Sequence, residues 1–276
     1  MQEFNPETSG EMQNAPPLTE AQAIANLTHP DLSLRYYAAW WLGKFQIRTE
    51  TAVTALIAAL EDEADRTELG GYPLRRNAAR ALGKIGDLRA VPGLLRCLDC
   101  TDFYVREAAA QSLGMLGDPV SIPALMQLLN GGLAAAVQVP GQPHLTQPYE
   151  AVMEALGSLQ AREAISQIEP FLEHPVERVQ YSAARAMYQL TEDSAYGERL
   201  VQALAGKDIQ LRRIALSDLG AIGYLPAADA IASSAAENSF KLIALKGLLE
   251  HQLSPDKPDT LNDAAIKVMH LMDTLL

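Results

Sequence analysis

A module of the form apolar-Arg-x-x-Ala-Ala-x-x-Leu-Gly recurs along this 276-residue chain and limits what it can fold into. It reads Leu34-Arg35-Tyr36-Tyr37-Ala38-Ala39-Trp40-Trp41-Leu42-Gly43 first, then Leu74-Arg75-Arg76-Asn77-Ala78-Ala79-Arg80-Ala81-Leu82-Gly83. A third copy runs from Val105-Arg106 to Leu113-Gly114, and weaker copies begin at Pro148, Val179, Leu211 and Phe240. The second module residue falls at 35, 75, 106, 149, 180, 212 and 241, giving steps of 40, 31, 43, 31, 32 and 29 residues. A base period near 31, filled with helix formers, predicts an all-α chain of stacked helical repeats, an α-solenoid.

Each module reads as the second helix of a pair. The first helix precedes it, most clearly at Ala90-Val91-Pro92-Gly93-Leu94-Leu95-Arg96-Cys97-Leu98. Pro92, Pro123 and Pro226 fall where a first turn begins, a position at which the missing N–H costs nothing. Thr19-Glu20-Ala21-Gln22 has the pattern of a capping box. The expectation is about seven HEAT-like helix pairs over residues 18–253, wound as a right-handed superhelix. Residues 1–17 form a polar, disordered tail in this reading. Residues 254–276 supply a linker and an amphipathic helix that caps the apolar end of the stack.

Composition sets limits on function. With 48% hydrophobic residues the chain can bury a large core, yet no apolar run approaches the ~18 residues of a membrane span. The first 17 residues lack a basic region followed by an apolar one, so no secretory signal is expected. Two cysteines suit a reducing cytosol, and a net charge of −12 argues against a nucleic-acid or anionic-membrane binder.

Two steps exceed the base period, and the surplus lies at Glu61–Tyr72 and Asn130–Gln147. Both fall in the turn inside a helix pair and should project from one edge of a solenoid. The second, with Gly131-Gly132 and Val139-Pro140-Gly141-Gln142-Pro143, has the composition of a flexible lid. Tolerated surface drift is the other reading.

Module positions 1, 5, 8 or 9, and 12 should form the buried stripe, as in Leu34, Ala38, Leu42 and Phe45. Positions 3 and 7 then face the concave solvent. That column holds Tyr36 and Trp40, Arg76 and Arg80, Glu107 and Gln111, Glu150 and Glu154, Tyr181 and Arg185, Arg213 and Ser217, then Leu242 and Lys246. Arginine forks bind carboxylates and aromatic faces stack on planar systems, so the column suits a flat carboxylated ligand or an acidic protein surface. The alternative is that each arginine pairs with an acidic residue of the next repeat.

Other chemical signals are weak. Cys97-Leu98-Asp99-Cys100 lacks the second pair that a structural zinc site needs, and Cys97 reads as a buried thiol. No histidine is followed by glutamate, which counts against an iron-dependent hydroxylase built on these repeats. No metal site and no cofactor are expected.

The segments Arg35-Tyr36-Tyr37-Ala38-Ala39-Trp40-Trp41-Leu42-Gly43-Lys44-Phe45 and Tyr72-Pro73-Leu74-Arg75-Arg76-Asn77-Ala78-Ala79-Arg80-Ala81-Leu82-Gly83-Lys84 resemble the E subunit of the E/F-type phycobilin lyases. Within these, the closer likeness is to the phycocyanobilin lyase acting on the phycocyanin α subunit. The resemblance covers about residues 18–253. It implies a cytoplasmic heterodimer with an F-type subunit. That heterodimer attaches phycocyanobilin, a substrate rather than a cofactor, through a thioether to a cysteine of the apo-phycocyanin α subunit. Tyr36, Trp40, Arg76, Arg80, Tyr181, Arg185 and Arg213 are then the expected bilin-binding residues. Glu107, Glu150 and Glu154 are the carboxyls placed to move a proton. A non-catalytic repeat protein of phycobilisome assembly or degradation and a general protein-binding scaffold remain as alternatives.

Overall fold

The computed structural model describes residues 18–253 and 261–276. The expected tail over 1–17 and most of the expected linker fall outside the described residues. The chain divides into two compact units between Asp87 and Leu88.

In the first unit, α1 (Glu20–Asn26) pairs with α2 (Leu32–Lys44), and α3 (Glu50–Ala59) with α4 (Pro73–Ile85). The capping box forms as the sequence predicts, with the Thr19 and Gln22 side chains each serving the other's backbone N–H. Helices α2 and α4 pack side by side. Gly43 makes this possible, since a Cβ there would stand 2.7 Å from the Cα of Ala81.

In the second unit, α5 (Val91–Cys97) pairs with α6 (Phe103–Leu116), and α7 (Ile122–Gln127) with α9 (Tyr149–Ser158); the short α8 (Gly132–Ala135) is inserted between α7 and α9. Three more pairs follow: α10 (Ile165–Ile168) with α11 (Glu177–Thr191), α12 (Ser194–Ala203) with α13 (Ile209–Ile222), and α14 (Ala228–Ser233) with α15 (Asn238–Gln252). The second helices stack in the order α6, α9, α11, α13, α15, and α16 (Asp263–Asp273) packs on α15 and α14. The described residues therefore hold the seven helix pairs that the module count predicts. Pro92 and Pro123 occupy first helical turns, and Pro226 lies in the first turn of a 3-10 segment.

The structure gives two letters of the module a physical cause. In four of the modules the residue at position 2 reaches back to a carbonyl oxygen six residues earlier. Arg35 donates to His29 O at 2.5 Å, Arg106 to Cys100 O at 2.7 Å, Gln180 to His174 O at 2.6 Å and Arg212 to Gly206 O at 2.6 Å. These oxygens belong to the turn inside each pair, where no helical partner exists for them. Position 10 is glycine because consecutive second helices approach too closely for a side chain. A Cβ on Gly114 would lie 2.8 Å from Ala155 Cα, and one on Gly157 would lie 2.9 Å from Ala186 Cα.

Two packing expectations need correction. Phe45 is 57% exposed rather than buried, because α2 ends at Lys44 and the chain turns sharply at Gln46, whose φ is 49°. The Asn130–Gln147 insertion is not a structureless lid. After α8 it doubles back through an antiparallel bridge between Gln138 and Leu145, and it buries Ala136 and Leu145. The insertion is anchored from two sides and closed by one bond of its own. His174 Nε2–H donates to Ala136 O at 2.9 Å, Thr146 Oγ1 donates to Ala135 O, and Arg106 donates to Thr146 O at 3.0 Å.

Candidate functional site

In the first unit, the expected site residues stand on the faces of α2 and α4 that carry module positions 3 and 7. Tyr36 and Trp40 are 40% and 42% exposed, and Trp40 stacks on Tyr37 with ring centroids 5.4 Å apart. Arg76 and Arg80 are half-buried, one helical turn apart on α4. Asn77, between them, donates from its side chain to Tyr36 O at 3.1 Å and ties the two helices in register. Arg75, at position 2, is turned to the opposite task. Its guanidinium lies over the Tyr72 ring at 4.2 Å and donates to Asp62 O at 2.7 Å.

In the second unit, the same column reads as a ladder of carboxylates and guanidinium groups. Glu150 on α9 meets Arg178 on α11 at 2.9 Å. One turn along α9, Glu154 accepts from Ser182 at 3.1 Å and pairs with Arg185 at 3.3 Å. Arg185 reaches on to Asp218 of α13 at 3.1 Å. Arg213 forks onto both oxygens of Glu237 and lies 4.9 Å from the Phe240 ring. At Arg185 and Arg213, therefore, the reading in which arginine pairs with an acid of the following repeat is the one that applies. The expectation that Tyr181 faces solvent does not hold, since the residue is only 8% exposed.

Burial and crowding shift the carboxyls of this ladder. Asp218, 3% exposed, is pushed up to about 7, first by burial and then by the Glu154 charge, against the pull of Arg185. Burial is also the leading cause that raises Glu150; Arg178 opposes it, while Glu154 and Glu107 add to it. Across the α6–α9 groove the open face holds two cavities that share Ala151 as a lining residue. One, of about 200 Å³, is lined by Glu107, Glu150 and Arg178 together with Tyr104, His144 and Gln147. The other, of about 280 Å³, is lined by Gln111, Glu154, Ser158 and Arg185.

Sequence reasoning located the three glutamates of this region and missed the aromatic wall beside them. His144 stacks face to face on Phe103, with centroids 4.0 Å apart and planes 9° from parallel. The signal was available only as a lone histidine inside the longer insertion. Cys97 is buried in α5, as read, and both cysteines are free thiols. Among the described residues, no cluster of His, Cys, Asp and Glu is placed to hold a metal ion, and no helix is long and apolar enough to cross a membrane.

Seven helix pairs, four of them closed by a position-2 clamp and with second helices packed through glycine contacts within each unit, define a HEAT-repeat α-solenoid protein. Residues 71–138 match the HEAT repeats family, and residues 34–62 match the PBS lyase HEAT-like repeat. The chain is 69% identical over 265 residues to a phycocyanobilin lyase subunit alpha from Nostoc sp. strain PCC 7120, covering 96% of each chain. Its counterpart from Microchaete diplosiphon is 63% identical over 280 residues, covering 100% of this chain and 95% of that one. A solved complex of CpcE and CpcF of phycocyanin lyase from Nostoc sp. PCC7120 contains a chain of the same fold. The two superpose with a TM-score of 0.89 at 67% identity, covering 100% of this chain and 99% of the other. The chain belongs to the family of phycocyanobilin lyase alpha subunits, and it is a lyase subunit.

Proposed function

We propose that this chain works with an F-type partner to attach phycocyanobilin, through a thioether, to a cysteine of the apo-phycocyanin α subunit. The observation that carries this reading is full-length similarity to a chain of the CpcE and CpcF complex of phycocyanin lyase. The acceptor thiol adds across the exocyclic ethylidene of ring A, so the nucleophile belongs to the acceptor. The lyase holds the bilin in a reactive conformation and presents it to one thiol, which is catalysis by positioning. The reaction takes place in the cytoplasm, with the bilin as substrate and no cofactor.

The bilin is flat, conjugated and carries two propionates. Exposed Tyr36 and Trp40 offer ring faces to it, and Arg76 and Arg80, on one face of α4, suit the propionates. Replacing both arginines by alanine is expected to reduce bilin transfer by about ten-fold or more, the equivalent of one charge-assisted hydrogen bond of ~1.5–3 kcal/mol. The melting temperature should change little by comparison. Transfer is measured as zinc-fluorescent adduct on a denaturing gel, with the partner, phycocyanobilin and apo-phycocyanin α present. An acceptor whose cysteine is replaced by serine must give no adduct. Adduct formation on that acceptor would overturn the proposed chemistry.

A further inference from the structure

The smaller cavity on the α6–α9 face differs in kind from the rest of the carboxylate ladder, because it joins an acid to an aromatic wall. Phe103 and His144 form a parallel stack, and the Tyr104 ring meets both edge-on, at 5.4 and 5.9 Å. The Leu145 carbonyl can only accept, so its 2.8 Å contact places a proton on Nδ1 of His144. At about 200 Å³ the cavity falls below the ~300–1,000 Å³ typical of a whole drug-sized ligand. It has room for one end of an open-chain tetrapyrrole.

We propose that this cavity receives the ring-A end of the bilin, and that Glu150 is the acid whose proton completes the thiol addition. The proposal rests on the lyase reading above. The acceptor thiol first loses its proton to solvent. Its thiolate then forms the S–C bond at the exocyclic ethylidene carbon. The ethylidene π pair moves onto the ring carbon and takes the proton from the Glu150 carboxyl. Glu150 is left as a carboxylate beside Arg178 and regains a proton from solvent, so the net change is addition of S–H across one double bond.

Asp65, Glu150 and Asp218 are all held above the ordinary carboxylate range. Asp65 is buried and accepts the Leu74 N–H at 2.7 Å, while Asp218 is sealed against Arg185. Glu150, by contrast, lines the cavity beside the aromatic wall. The groups facing it are Tyr104 and Glu107 from α6, His144 from the insertion, Glu154 from α9 and Arg178 from α11. Two neighbouring carboxylates favour the protonated acid, and one guanidinium 2.9 Å away stabilises the carboxylate left after transfer.

The test uses the full complex with its partner, phycocyanobilin and apo-phycocyanin α, in single-turnover reactions across pH. Glu150→Gln should slow attachment by about a hundred-fold or more, the lower range for general acid catalysis. Bilin absorbance should show that the non-covalent complex still forms. Because the step needs both the thiolate and the protonated Glu150, the wild-type rate should pass through a maximum and descend at high pH. That limb should persist in Glu150→Asp and vanish in Glu150→Gln. If the wild-type complex makes adduct while Glu150→Gln keeps both its rate and its descending limb, this assignment alone is wrong. If the wild-type complex makes no adduct, the lyase reading fails and takes the assignment with it.

Discussion

Arg185 donates to Asp218 Oδ1 at 3.1 Å and at the same time lies 3.3 Å from a carboxylate oxygen of Glu154, so one cation serves two acids. One positive charge cannot neutralise both, and Asp218, the deeper of the two, keeps its proton to about pH 7. Unfolded, Asp218 ionises near 3.8. Between these values the folded chain binds a proton that the unfolded chain has lost, so the Asp218 contribution to stability falls as pH rises across the window. Asp218→Asn cannot titrate. The stability difference, wild type minus variant, should therefore decline from pH 4 to pH 7 and level off above it. Chemical denaturation at a series of pH values measures this, and a difference constant across the window would contradict it. Arg185→Ala removes the partner of buried Asp218 and should destabilise the chain more above pH 7, where Asp218 is charged, than at pH 5, where it is neutral.

The glycine contacts make a second prediction. Gly114→Ala would place a Cβ 2.8 Å from Ala155 Cα and 3.0 Å from its Cβ. Both neighbours are held by their helix, so the α6–α9 spacing must widen. Overpacking of this kind costs about 1–3 kcal/mol. A denaturant melt of the variant should show that loss, and an unchanged midpoint would contradict a close-packed α6–α9 contact.

The adjacent tryptophans of α2 separate by role. Trp41 is half-buried against Phe45, with ring centroids 4.9 Å apart, and its truncation should cost about 1.5–3 kcal/mol, less than for a fully enclosed aromatic. Trp40 stands 42% exposed. Trp40→Ala should shift stability by no more than about 0.5 kcal/mol, as an exposed position does, while lowering bilin transfer. Thermal melts of the two variants decide the order, and a larger loss at Trp40 would reverse the register of the first module.

The recurrence of Arg and Gly in the module made the helix pairs legible without a structure, because both residues answer to local geometry. Position 2 caps a turn six residues back, and position 10 meets the next repeat at a fixed offset. What the sequence concealed depends on longer reach. Arg185 is matched by Asp218, 33 residues on, and Arg213 by Glu237, 24 residues on, so a column of apparently open arginines is partly filled from the following repeat. The Asn130–Gln147 insertion read as mobile because the side chain that fixes it, His174, comes from the next helix pair, 38 residues from Ala136. The glutamates of the groove were visible as a column, but the Phe103–His144 stack that turns part of it into a cavity was not. It needs the insertion to fold back over α6.

Under the proposed function this chain is one half of a lyase, supplying binding surface and an acid but no complete catalytic apparatus on its own. The most direct measurement incubates apo-phycocyanin α and phycocyanobilin with the chain alone, and in parallel with the chain plus its F-type partner. Denaturing gels are then read for zinc-induced fluorescence. A covalent adduct with native-like absorbance is expected only when both subunits are present. An equal native-like adduct from the chain alone, or none from the pair, would contradict it.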